Sequence, residues 1–167
     1  MISNNIFREY DIRGIAEDDL TSDNVTLIGK AFATHMLAQG RKRLVVGRDL
    51  RLSSDRLRNA LIEAMLGCGA DIIDIGVVPT PTQYFAITHF KAEGGVMITG
   101  SHNPREYNGF KMSTGVKHDD GHVSVGAIYG KEIQQLYQII QSGKFASGKG
   151  SIQVVEVVPE SGSGAAP

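Results

Sequence analysis

Up to Thr99 the chain alternates short, β-rich apolar runs with longer runs of helical period, and this alternation narrows the fold more than any other feature. Between Ser22 and Gln39 the apolar residues Val25, Ile28, Ala31, Phe32 and Met36 recur at helical spacing, after a polar Thr21-Ser22-Asp23-Asn24 start and before Gly40. Leu44-Val45-Val46-Gly47 then reads as a strand that delivers Arg48-Asp49-Leu50-Arg51 into a loop. Ser53-Ser54-Asp55 can cap a second helix, with Leu57, Ala60, Leu61, Ala64, Met65 and Cys68 on its apolar face and its end at Gly67 to Gly69. Asp71 to Gly76 reads as a second strand. Pro79-Thr80-Pro81-Thr82 opens a helix to about Phe90, since proline is tolerated in a first turn, and Gly95 to Thr99 is a third strand. Strands and helices in this order imply right-handed crossovers and a sheet covered by helices. The expected fold is therefore α/β, a three-layer helix/sheet/helix domain with a mostly parallel (mixed) sheet of about four strands. The fourth is Asn108 to Ser113, paired antiparallel through the Asn103-to-Asn108 turn or lying elsewhere in the sheet. In such sheets the loops beyond the carboxyl ends of the strands form the site.

A last helix is expected from Tyr129, Ile133, Leu136, Tyr137 and Ile140, stopping at Gly143. Beyond Gly148 to Gly150 another extended segment is expected over Ile152 to Val158. The small-residue stretch 160–167 reads as a flexible linker or tail, so that residues 1–159 make the one domain.

Composition excludes several classes of partner. A chain of 167 residues with 41% hydrophobic and 21% charged residues and a net charge of -1 suits one soluble core. Lysine and arginine are spread along it, so no electrostatic footprint for nucleic acid is formed. No apolar run approaches the roughly 18 residues that span a bilayer, and the first residues lack the basic-then-apolar order of a signal peptide. Neither nucleic acid nor a membrane is expected as a partner, and a cytoplasmic location is. Cys68, the only cysteine, sits on an apolar helix face and reads as a core residue. The 20 glycines exceed the usual share of about 7%, and many lie at strand ends, where a backbone turns tightly or approaches a ligand.

Three polar stretches could share one phosphate. In Thr99-Gly100-Ser101-His102-Asn103-Pro104, at the exit of a buried strand, Gly100 permits close approach and Pro104 fixes a turn. Serine needs a base or a metal to attack phosphorus, and His102 and Lys111 are the local candidates to assist. The bland alternative is a serine that only starts a turn, with His102 bonded to backbone. Arg48, Asp49 and Arg51 form a second loop, in which arginine can grip two phosphate oxygens or merely join a surface salt-bridge cluster. Phe7-Arg8-Glu9-Tyr10-Asp11-Ile12-Arg13-Gly14 is the third, with an edge strand carrying solvated charges as the alternative.

Together TGSHNPREYNGFK (99–111), FREYDIRG (7–14) and GRDLRLSS (47–54) resemble the phosphomannomutase/phosphoglucomutase branch of the α-D-phosphohexomutases, over about Ile6 to Pro159. The resemblance implies the first domain of the phosphohexomutase fold. It implies that Ser101 is a phosphoserine that gives its phosphoryl group to a hexose phosphate and recovers one from a hexose 1,6-bisphosphate intermediate, which also serves as activator. Lys111 and Arg13 would stabilise the transferring group, with His102, Asn103 and Tyr10 orienting phosphoserine or substrate, and Arg48, Asp49 and Arg51 supporting the loops. In the complete enzyme Mg²⁺ would bind the phosphate on Ser101. The family is similar in having four domains around one cleft, so the remaining domains are implied partners beside the hexose phosphate. The acidic metal loop of the family's second domain has no counterpart, and Asp119-Asp120-Gly121 lacks its alternating carboxylates. His118 and His122 would suit a transition metal on a helix, but Gly115 and Gly121 favour a solvated loop there. The isolated chain is therefore expected to be weakly active or inactive. The alternatives are a phosphoglucosamine mutase domain and a non-catalytic interaction module of the same fold. A serine hydrolase is disfavoured by the lack of a Gly-x-Ser-x-Gly elbow.

Overall fold

A computed structural model describes residues 2–155. After a 3-10 turn at Asn4–Ile6 come β1 (Ile12–Ile15), α1 (Ser22–Ala38), β2 (Arg43–Arg48), α2 (Ser54–Cys68), β3 (Asp71–Val77) and α3 (Thr80–His89). β4 (Gly94–Ile98), β5 (Tyr107–Lys117), β6 (Val123–Ala127), α4 (Lys131–Ser142) and β7 (Ile152–Val154) complete the order. Helix ends follow local chemistry. The Thr21 hydroxyl accepts from the Asn24 N–H to start α1, and Gly69 takes the left-handed conformation that ends α2. The expected serine cap of α2 does not form, because the Ser53 hydroxyl accepts instead from the Asn108 side chain at 2.8 Å.

Seven strands, rather than about four, form one sheet among the described residues, in the order β1-β5-β4-β2-β3-β7 with β6 also paired to β5. The pairings β2 with β3, β2 with β4 and β3 with β7 are parallel, and the three made by β5 are antiparallel. The sheet is thus half antiparallel. The cause is the short turn after β4, which sends β5 straight back beside it and leaves room for no crossover helix. Along the outer side of β5, β1 and β6 lie end to end, β1 opposite Tyr107–Phe110 and β6 opposite Ser113–Lys117. Of the segment expected over Ile152 to Val158, Ile152–Val154 are strand. Residues from Glu156 onward, including the domain end at 159 and the stretch 160–167, lie outside the described residues.

Alternating side chains divide the core between the faces. On one face Leu44, Val46, Ile72, Val96, Ile98 and Phe110 meet Ile28 and Phe32 of α1, Leu57 and Leu61 of α2, and Leu136 of α4. On the other, Val45, Ile73, Ile75 and Met97 meet Ala86 and Ile87 of α3. The chain steps from β2 to β3 in one direction and from β3 back past β2 to β4 in the other. Right-handed crossovers then require α2 and α3 on opposite faces. Cys68 is buried against α1, and burial pushes its thiol pKa up, as for a core residue. His118 and His122 occupy the β5–β6 turn with stacked rings 4.1 Å apart. Helices cover only part of the second face, and the sheet surface over β1 and the start of β5 carries polar residues.

Candidate active site

β2 and β4 are neighbours, with Arg48 level with Ile98, so the loops that leave their carboxyl ends emerge side by side. The Asp49 N–H donates to the Ile98 carbonyl at 2.9 Å, which fixes the two exits to each other. The β4 loop carries Ser101. Its side chain is exposed and its φ is 53°, a left-handed value that strains a non-glycine residue by about 1–3 kcal/mol. The strain is held by neighbours. The Ser101 N–H donates to the Thr99 hydroxyl at 2.9 Å, and the Asn103 N–H and side chain donate to the Gly100 carbonyl at 3.0 and 3.1 Å.

The β2 loop supplies most of that hold. One Arg51 terminal nitrogen donates to the Pro104 and Tyr107 carbonyls at 2.5 and 2.7 Å, the other to those of Asn103 and Ser101 at 2.6 and 3.3 Å. Gly100 is what lets the guanidinium in, since a Cβ there would stand 1.9 Å from Arg51 Cζ. Asp49 completes the clamp. Its Oδ2 accepts from the Gly100 N–H at 2.8 Å, and its Oδ1 from the Ser54 hydroxyl at 2.5 Å and the Arg51 N–H at 3.1 Å. Burial disfavours its charge, but hydrogen bonds from Ser54, Arg51, Gly100 and Thr99 outweigh this and hold the carboxyl pKa below its ordinary value. Arg51 thus spends its two terminal nitrogens on loop carbonyls, and its Nε pairs with Asp49 Oδ2 at 3.5 Å. Arg48 turns away, its Nε on Asp55 Oδ1 in the first turn of α2.

Arg13 reaches the same loop from β1. It is only 2% exposed, so the alternative of solvated edge charges holds for the exposed Arg8 and Glu9 but not for Arg13, which donates to the Thr99 carbonyl at 2.7 Å and to Asp11 at 2.6 Å. Lys111 lies two positions along β5 from Gly109, the partner of Arg13, and so faces the same side of the sheet. The structure brings Ser101, His102, Asn103, Asp49, Arg51 and Arg13 into one bonded network, with His102 Nδ1 3.3 Å from the serine Oγ. Arg48 stays outside it, and neither Lys111 nor Tyr10 hydrogen-bonds to the loop.

Two contributors were not singled out in the sequence. Buried Asn108 donates to Ser53 and Ser54 at 2.8 and 3.0 Å, linking β5 through Ser54 to Asp49. Its signal was hidden, because it stood in the sequence only as the first residue of the expected fourth strand and its partners lie 55 and 54 residues away. Tyr129 stacks on Tyr10 with ring centroids 6.3 Å apart. It stood in the sequence only as a helix position. Among the described residues no group of three or more His, Cys, Asp or Glu side chains is placed to hold a metal ion.

The family model described as phosphoglucomutase/phosphomannomutase, alpha/beta/alpha domain I, matches residues 4–145. A phosphomannomutase/phosphoglucomutase of Pseudomonas aeruginosa is 41% identical over 154 residues, covering 92% of this chain and 31% of that protein. A phosphoglucomutase/phosphomannomutase of Thermococcus kodakarensis is 47% identical over 109 residues, 64% of this chain and 24% of its own length. The crystal structure of a phosphoglucomutase/phosphomannomutase family protein from Burkholderia thailandensis superposes with a TM-score of 0.83 at 40% identity, over 94% of this chain and 34% of that one. The chain spans between about a quarter and a third of the length of these relatives.

Proposed function

Because this chain belongs to the phosphoglucomutase/phosphomannomutase family through its alpha/beta/alpha domain I, we propose that it is the phosphoserine domain of an enzyme that interconverts hexose 1-phosphates and 6-phosphates, with Ser101 carrying the phosphoryl group. The observation that carries this reading is an exposed serine held at φ 53° by a loop whose carbonyls are gathered by Arg51 and whose backbone is tied to Asp49. Transfer is mostly positioning and charge stabilisation, so a serine fixed before substrate arrives suits it. In the forward step the Oγ–P bond of phosphoserine breaks as a sugar hydroxyl oxygen bonds to phosphorus, and the hydroxyl proton leaves to a base. The reverse step on the resulting hexose 1,6-bisphosphate returns a phosphoryl group to Ser101. His102 can hold the serine proton, and Lys111 and Arg13 oppose the charge on the transferring group. Tyr10 and Asn103 orient the partners. The rest of the enzyme would complete the site, including Mg²⁺ bound in part by the phosphate on Ser101.

Incubation with glucose 1,6-bisphosphate followed by intact-protein and peptide mass spectrometry tests the assignment. One phosphoryl group on Ser101, absent in Ser101→Ala, is expected. A label on another residue, or none, would overturn it.

A further inference from the structure

Tyr10 and Tyr129 are 73% and 55% exposed, yet their rings stack, at an interplanar angle of 28°. The pair is firmly mounted. The Gly130 N–H donates to the Glu9 carbonyl at 2.6 Å, and the Gln134 side chain donates to the Phe7 carbonyl at 3.0 Å, so both tyrosine-bearing loops are tied to each other. Gly130 has φ 54°, a left-handed value that favours glycine at this junction.

The mount also has a place. The Ile128 N–H donates to the Met112 carbonyl, which carries the β6 register one residue further and brings Tyr129 level with Lys111. Ile128 and Met112 are buried together on the face covered by α1, α2 and α4, so Tyr129 and Lys111 both look to the other face. Arg13 shares that face, and its guanidinium ends under the Ser101 loop. The pair stands at the gap between β1 and β6, flanking one cation of the site.

We infer that Tyr129, with Tyr10, forms an aromatic wall of the substrate cleft and binds the sugar ring rather than the phosphate. The C–H bonds on one face of a pyranose carry partial positive charge and match the negative face of an aromatic ring, while the phenol hydroxyls can pair with sugar hydroxyls. A stacked pair presents such a surface without ordering two separate side chains on binding. This inference rests on the assignment of Ser101 and adds a residue to that site.

The test follows Ser101 phosphorylation against glucose 1,6-bisphosphate concentration in wild type, Tyr129→Ala and Tyr129→Phe. In Tyr129→Ala the half-saturating concentration should rise about five- to tenfold, with the limiting rate little changed, whereas Tyr129→Phe should keep most of the binding. Inorganic phosphate, which lacks a ring, should compete equally well in wild type and Tyr129→Ala. Labelling of Ser101 with the same concentration dependence in wild type and Tyr129→Ala would overturn the role of Tyr129 alone. Weaker competition by inorganic phosphate in the alanine variant would overturn it too, by showing a general disturbance of the site. Absence of label from wild type would remove the Ser101 assignment and this inference with it.

Discussion

At Asp49 one carboxylate takes three hydrogen bonds and sets the geometry of two loops, so its charge is a stability determinant. Its pKa is lowered in the folded chain relative to an unfolded value near about 3.9. A depressed carboxyl contributes stability that is present above the unfolded pKa and is lost as pH falls through the folded one. Asp49→Asn keeps the shape but turns an N–H donor toward the Gly100 N–H. Urea denaturation at pH 7 should show the variant less stable by about 1.5–3 kcal/mol, and the gap should narrow below about pH 4. A gap that stays constant down to pH 3 would mean that the charge of Asp49 carries none of it. Asp71, also lowered, chiefly by the Ser151 hydroxyl bond, remains in both proteins and leaves a shared acid slope.

The elements were legible in the sequence wherever one period dominated. α1, α2 and α4 show helical spacing with polar starts, and each lies within a few residues of its expected place. β1 was foreseen only as an alternative edge strand and β6 not at all, because four residues of Ile-Arg-Gly-Ile and the glycine-bearing Val123–Ala127 are held by β5 rather than by local preference. The site divides the same way. Motif position marked Ser101, Arg13 and Arg51, but the number of carbonyls that Arg51 gathers depends on a turn 50 residues away and has no local signature. α3 contains a further case. Gln83 is fully buried against Gly95, and neither its amide nitrogen nor its oxygen has a partner among the described residues. Gln83→Met keeps the volume and removes both orphan groups, so stability in urea should rise by about 1 kcal/mol. A fall instead would mean that bound water satisfies the amide in solution.

For the whole molecule, the surface beside the site is as telling as the site. Leu50 and Leu52 stand almost fully exposed on either side of Arg51, next to a recess of about 570 Å³ lined by Asp49, Leu50, Val77 and Pro79. Apolar groups so placed suit contact with other polypeptide. Leu50→Ser/Leu52→Ser should leave the thermal midpoint almost unchanged, since neither side chain is buried, and should reduce concentration-dependent association in light scattering. Equal association of both proteins would exclude this patch as the contact. The position of β7 has an effect of another kind. It is made after every other described strand, yet it covers β3, which is made some 80 residues earlier and is flanked by β2 on its other side only. During translation the growing chain therefore carries an open parallel edge at β3 until residues 152–154 leave the ribosome, and in that interval a neighbouring nascent chain can take the place of β7.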